Sequence, residues 1–281
     1  MLARFLNAIL LATLAVFVPP ATAQERMPIF DAHMHYNWEP TPFYSMEQVL
    51  EVFRRNNITG VLATSRPNDG TRALVAAKPA GLWVVPFIRP YRTRADIQTW
   101  FNDPAIYELI ESEFKRGYYR GIGEFHLYDS ANARGEIAVK AVRFAAERGL
   151  YLHAHCDADA IEILFSHDNR AKIIWAHTGF SVSPARVQQL LEKYPALWGE
   201  LSYRGGITDG SGKLSPEWKI LFARHADRFL LGSDTWINER WFSYDTIFSE
   251  YRKWLAQLPR DQAAKIAHGN AERLFGPRPT N

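Results

Sequence analysis

His33 and His35, two residues apart in Asp31-Ala32-His33-Met34-His35, close a short apolar run at 28–33. Residues i and i+2 of a strand point to one face, so both imidazoles can clasp one ion. Asp31 has the same parity, and its expected role is to orient a ligand from below. Further along, polar residues fall at the ends of other apolar runs: Glu124, His155, His177 and Asp234. A single histidine there is more often a hydrogen-bonded structural residue, and an aspartate is often a helix cap. Six ionisable groups gathered at one place are costly to bury unless they share a partner, and a divalent cation is that partner.

The elements that must gather them read as eight strands, each followed by a helix. The strands are expected at 28–33, 60–64, 82–88, 121–125, 150–155, 172–177, 197–202 and 229–234. Helices are expected over 45–56, where Ser45 and Gln48 form a capping-box pattern, and over 95–116, 135–148, 159–166, 184–193 and 216–225. Alternation of this kind points to parallel pairing and a (β/α)₈ barrel of one domain over 24–281. No glycine-rich dinucleotide turn follows the first strand, which weighs against an open doubly wound sheet. In such a barrel the carboxyl ends of the strands form one catalytic face. On the fifth strand His153 and His155 share parity, and His155 lies nearer that face.

Residues 1–23 read as an export leader. Arg4 precedes an apolar stretch over 5–18, and Ala21-Thr22-Ala23 offers a cleavage site after Ala23. The expectation is an exported, periplasmic protein without stable membrane association after cleavage. A net charge of +3 is too small to argue for nucleic acid, and no basic track with interleaved aromatics is present. The single Cys156 cannot form an internal disulfide.

In their order, these residues resemble the amidohydrolase superfamily: a His-x-His on strand one, an acid on strand four, a histidine on each of strands five and six, and an aspartate on strand eight. The closing Gly269-Asn270-Ala271-Glu272-Arg273-Leu274-Phe275 is similar to the end of the amidohydrolase-related branch, which includes lactone hydrolases and aromatic-acid decarboxylases. The resemblance implies metal ligands at His33, His35, Glu124, His155, His177 and Asp234. Strand four carries no lysine, so a carbamylated bridge is not expected; Glu124 would bridge two ions, as in TatD-like deoxyribonucleases, or stand beside one.

The reaction expected is hydrolysis of an ester, lactone or amide by a metal-activated water, with Asp234 taking the proton and His177 polarising the carbonyl or holding a second ion. Decarboxylation on the same scaffold and a non-catalytic binding barrel are the competing readings. Zinc is the default ion, with manganese fitting similar ligands. Arg89, His126 and Arg204 are the expected contacts to a small-molecule substrate, and Tyr36, Trp38, Trp236 and Trp241 lie near the same loops. Homo-oligomerisation stays open.

Overall fold

The computed structural model describes residues 26–39 and 41–276. The export leader and the Ala23 cleavage position lie outside the described residues.

Eight parallel strands run in sequence order: β1 (Ile29–His35), β2 (Ile58–Thr64), β3 (Trp83–Ile88), β4 (Gly121–Leu127), β5 (Tyr151–Cys156), β6 (Lys172–Trp175), β7 (Leu197–Glu200) and β8 (Phe229–Leu230). The ring returns on itself where Leu231 pairs with Asp31 and the Ala32 amide donates to the Leu231 carbonyl at 2.7 Å. This nearly closed barrel is a TIM barrel. Between the strands stand α1 (Met46–Arg55), α2 (Asp69–Ala77), α3 (Pro104–Phe114), α4 (Glu136–Glu147), α5 (Ala158–His167), α6 (Pro184–Lys193) and α7 (Pro216–His225), with α8 (Tyr244–Leu255) after β8. No helix among the described residues is long and apolar enough to cross a membrane.

Local chemistry sets several boundaries. Ser45 and Gln48 form the expected capping box at the start of α1. Pro104, Pro184 and Pro216 each open a helix, where the missing N–H costs nothing. The region at 95–116 divides into two 3₁₀ turns and α3. Helix α2 was not expected, because Pro67-Asn68-Asp69-Gly70 carries the composition of a loop.

Phe30, Ala32, Leu62, Val85, Phe87, Ile174 and Leu230 form one apolar cluster, which Phe275 joins from the end of the chain. Its ring lies 5.8 Å from Phe30 and 5.9 Å from Phe87, so it plugs the barrel at the amino ends of the strands. A register shift between Asp31 and Met34 breaks the alternation of β1. The Asp31 carboxylate accepts the His33 amide at 3.2 Å and otherwise turns toward the segment after β8. It accepts from the Ser233 amide (2.9 Å), the Ser233 hydroxyl (2.7 Å) and Tyr244 on α8 (2.7 Å). Burial still pushes its carboxyl up to about 6. Its work is to tie β8 to β1, one residue before Asp234.

Candidate metal centre

His33 and His35 end β1 and meet at their Nε2 atoms, 3.1 Å apart. Glu124 Oε2 lies 3.5 Å from the first and 3.4 Å from the second; Asp234 Oδ1 lies 3.3 Å and 3.1 Å away. All four side chains are buried. Among the described residues Asp234 Oδ1 has no aligned hydrogen-bond donor, although His35 Nε2 faces it. A cation resolves this crowding of lone pairs. The centre of a regular tetrahedron with such edges lies about 1.9–2.1 Å from its corners, close to Zn–N and Zn–O bond lengths. The residues present therefore fit a divalent ion.

The other oxygen of Glu124 faces a second group. Oε1 lies 2.8 Å from His155 Nδ1 and 3.4 Å from His177 Nε2, and those two nitrogens are 3.2 Å apart. All six expected residues thus converge, with one carboxylate shared between two clusters. His155 faces Glu124, whereas His153 lies deeper, its ring 4.3 Å from that of His33 and both nitrogens without a hydrogen-bond partner among the described residues.

The surroundings fix how the rings present themselves. His33 Nδ1 lies 2.8 Å from Glu200 Oε2, which leaves Nε2 free for the cluster. His177 Nδ1 donates to the Ser202 carbonyl at 2.8 Å. Thr64 Oγ1 and Arg89 Nη1 both lie 2.6 Å from His35 Nδ1. A guanidinium only donates, so that contact and a proton on Nδ1 exclude each other; a cation on Nε2 favours the Thr64 contact.

Two backbone features aim these groups. The sixth strand was expected to reach His177, yet β6 stops at Trp175 and the chain turns. His177, Thr178 and Phe180 adopt φ of 57°, 45° and 54°, a conformation non-glycine residues rarely take. The Thr178 hydroxyl donates to the Glu200 carbonyl (2.9 Å) and the His177 amide to Glu200 Oε2 (3.2 Å), which holds the turn. Gly232 is a close approach: a Cβ there would lie 2.3 Å from Glu200 Oε1 and 2.5 Å from His33 Cβ.

Burial would raise Glu124, but the surrounding histidines hold it well below the usual range. Burial would also raise Asp234, and His33 and His35 bring it down to about 2. Burial would lower His33, yet Asp234, Glu124 and Glu200 outweigh it and raise it well above 6.5. Without a cation, protons on these rings must balance the carboxylates.

A family model described as amidohydrolase matches residues 30–276. The chain belongs to the amidohydrolase family. No curated protein sequence matches it. Among solved structures, this amidohydrolase is similar to an amidohydrolase from Burkholderia multivorans with bound zinc, at 15% identity and TM-score 0.58 over 88% of this chain and 99% of that one. A probable 2-pyrone-4,6-dicarboxylic acid hydrolase from Acinetobacter baumannii with citric acid bound matches at 16% identity and TM-score 0.57, over 89% and 100%. A TatD homolog from Escherichia coli matches at 16% identity and TM-score 0.61, over 88% and 97%. At these identities the likeness is one of fold.

In this amidohydrolase a cavity of about 380 Å³ opens above the two clusters. Glu124, His155, His177 and Asp234 line its floor, and Arg89 and His126 are on its wall. Arg89 is buried, with Nη2 3.3 Å from Glu124 Oε2. Arg204 is not brought there. It donates to the Val182 carbonyl and lies over the Trp218 ring at 4.9 Å. Trp236 lines the cavity, whereas Tyr36 and Trp241 are buried in packing and Trp38 is not on the wall.

Sequence reasoning missed Arg66 and Arg94 on the wall, and Glu200 beneath it. Arg66 is spent on Glu39, with Nη2 to Oε2 at 2.8 Å. Arg94 lies over the Trp236 ring at 5.4 Å and adds its field to that of Arg66 at Glu39. Glu200 ends β7, so the strand-end rule that found the others would have found it.

Proposed function

We propose that this amidohydrolase hydrolyses a small ester or lactone that carries carboxylate groups. The observation that carries the reading is the shared Glu124 carboxylate between two histidine clusters, at the floor of a cavity that Arg94 also lines. His33, His35, Glu124 and Asp234 would hold one divalent ion, with Glu124, His155 and His177 available to a second. Such an ion, with zinc favoured over manganese by the donor set, supplies Lewis acidity and a water acidic enough to attack at neutral pH.

The chain's own groups do the rest. With Oδ1 turned to the first cluster, Asp234 Oδ2, 3.8 Å from His177 Nε2, takes the proton of the attacking water. His177, with its Nδ1 proton committed to the Ser202 carbonyl, directs Nε2 to the same space. Arg94, stacked on Trp236, receives a carboxylate of the substrate, while Tyr128, Phe180 and Tyr203 wall in its apolar part. The A. baumannii neighbour supports this class, since a pyrone is a cyclic ester and a dicarboxylate offers anions for such arginines.

Zinc- or manganese-loaded protein should open carboxylated lactones or esters in a panel that also holds amides and aromatic acids. Release of carbon dioxide from an aromatic acid, with no ester or lactone opened, would overturn the hydrolytic reading. The same reading takes the protein as exported and cleaved after Ala23; amino-terminal sequencing of the periplasmic fraction should begin at Gln24, and an intact leader would contradict it.

A further inference from the structure

Tyr91 follows β3 and is fully buried, and its hydroxyl faces His126 on β4. The phenol oxygen accepts the His126 backbone N–H at 2.7 Å and lies 3.0 Å from His126 Nδ1. It has no other hydrogen-bond partner among the described residues. A phenol has one proton to give, and Nδ1 is the acceptor within reach. A proton on Nδ1 would leave the phenol proton buried and unpaired, at a cost that sets the tautomer. Nδ1 therefore carries the lone pair and Nε2 the proton.

The rest of the residue is held as firmly. Trp100 Nε1 donates to the His126 carbonyl at 2.8 Å, and the His126 ring lies 4.3 Å from that of His155. Nε2 is directed into the cavity, 3.7 Å from Glu124 Oε2, the oxygen that faces His33 and His35. A substrate oxygen bound over that cluster comes within its reach.

We infer that His126, through Nε2–H, is a fixed hydrogen-bond donor to an oxygen of the bound substrate, and that Tyr91 is the positioning residue that sets its tautomer. The donor role rests on the hydrolytic reading above; the tautomer does not. A cation on Nε2 would drive that proton to Nδ1 and leave the Tyr91 proton unpaired, which disfavours His126 as a ligand although Glu124, His126 and His155 lie close together.

The test uses the zinc-loaded full chain labelled with ¹⁵N-histidine, and His126 is assigned by the signal lost in His126→Gln. Two-bond ¹H–¹⁵N correlations should show the Nε2–H tautomer, and citrate should shift that resonance. Tyr91→Phe should abolish the single tautomer and lower kcat in proportion to the Nε2–H population lost, with KM little changed. His126→Gln, whose amide N–H replaces the Nε2 donor, should recover most of kcat and bind zinc as the parent does. An Nδ1–H tautomer in the parent, or a tenfold loss of zinc affinity in His126→Gln, would overturn the inference. A fixed Nε2–H that responds to citrate in a protein that hydrolyses nothing would remove the hydrolytic reading and leave this inference standing.

Discussion

Glu200 Oε2 and His33 Nδ1 lie 2.8 Å apart, both side chains wholly buried. The pair directs the opposite nitrogen of His33 at Glu124 and Asp234 and raises its basicity as a ligand. Removal of that charge in Glu200→Gln should weaken zinc binding about 10–100-fold while the far-ultraviolet circular dichroism stays unchanged. Competition with a chromophoric chelator measures this, and an unaltered affinity would contradict the role given to Glu200.

Asp234 sits at φ 49° with Oδ1 in the first cluster and Oδ2 3.8 Å from His177 Nε2. Asp234→Asn keeps the shape and loses the proton acceptor. Turnover should fall on the order of 10²–10⁴-fold, with the melting temperature of the metal-free protein little altered. Full activity would remove Asp234 from the chemistry.

The acid–base balance of His33 predicts the direction of pH effects. Burial opposes its charge, but Asp234, Glu124 and Glu200 raise its folded pKa well above 6.5. Its contribution to the metal-free fold is complete below about pH 6.5 and disappears as pH rises through the elevated value. Zinc must displace that proton, so apparent affinity should rise with pH by up to about tenfold per unit. Calorimetry in buffers of different ionisation enthalpy should detect the released proton. Zinc uptake with no proton release would contradict this balance.

The site was legible because ligands sit at strand ends, and strand ends can be read from apolar runs. His33 and His35 close β1 as read, whereas Glu124 lies in the middle of β4 and Asp234 stands four residues past β8 at φ 49°. The limits of that rule are equally physical. Asp31 obeyed the parity of a regular strand until the bulge in β1 turned it away. His177 reaches the site through a left-handed turn rather than an extended strand. Arg204 follows β7 as read, yet packing on Trp218 and the Val182 carbonyl claims its side chain. Arg94 lies in a 3₁₀ turn whose position depends on the whole barrel.

Phe275 closes the end of the barrel opposite the site and packs on Phe30, Phe87 and Tyr151. Phe275→Ala should cost about 3–5 kcal/mol of stability in urea unfolding. Zinc affinity of the folded protein should be retained, because the site lies at the other end. A loss below about 1 kcal/mol would show that the amino-terminal end closes without this ring.

His33, His35, Glu124 and Asp234 are proposed to hold one divalent ion. Metal analysis of the purified protein beside His33→Ala/His35→Ala, each after incubation with zinc and removal of excess ion, tests it most directly. The parent should retain at least one tightly held zinc or manganese per chain, and the double variant should lose it while remaining folded. A parent chain that binds neither zinc nor manganese would contradict the account.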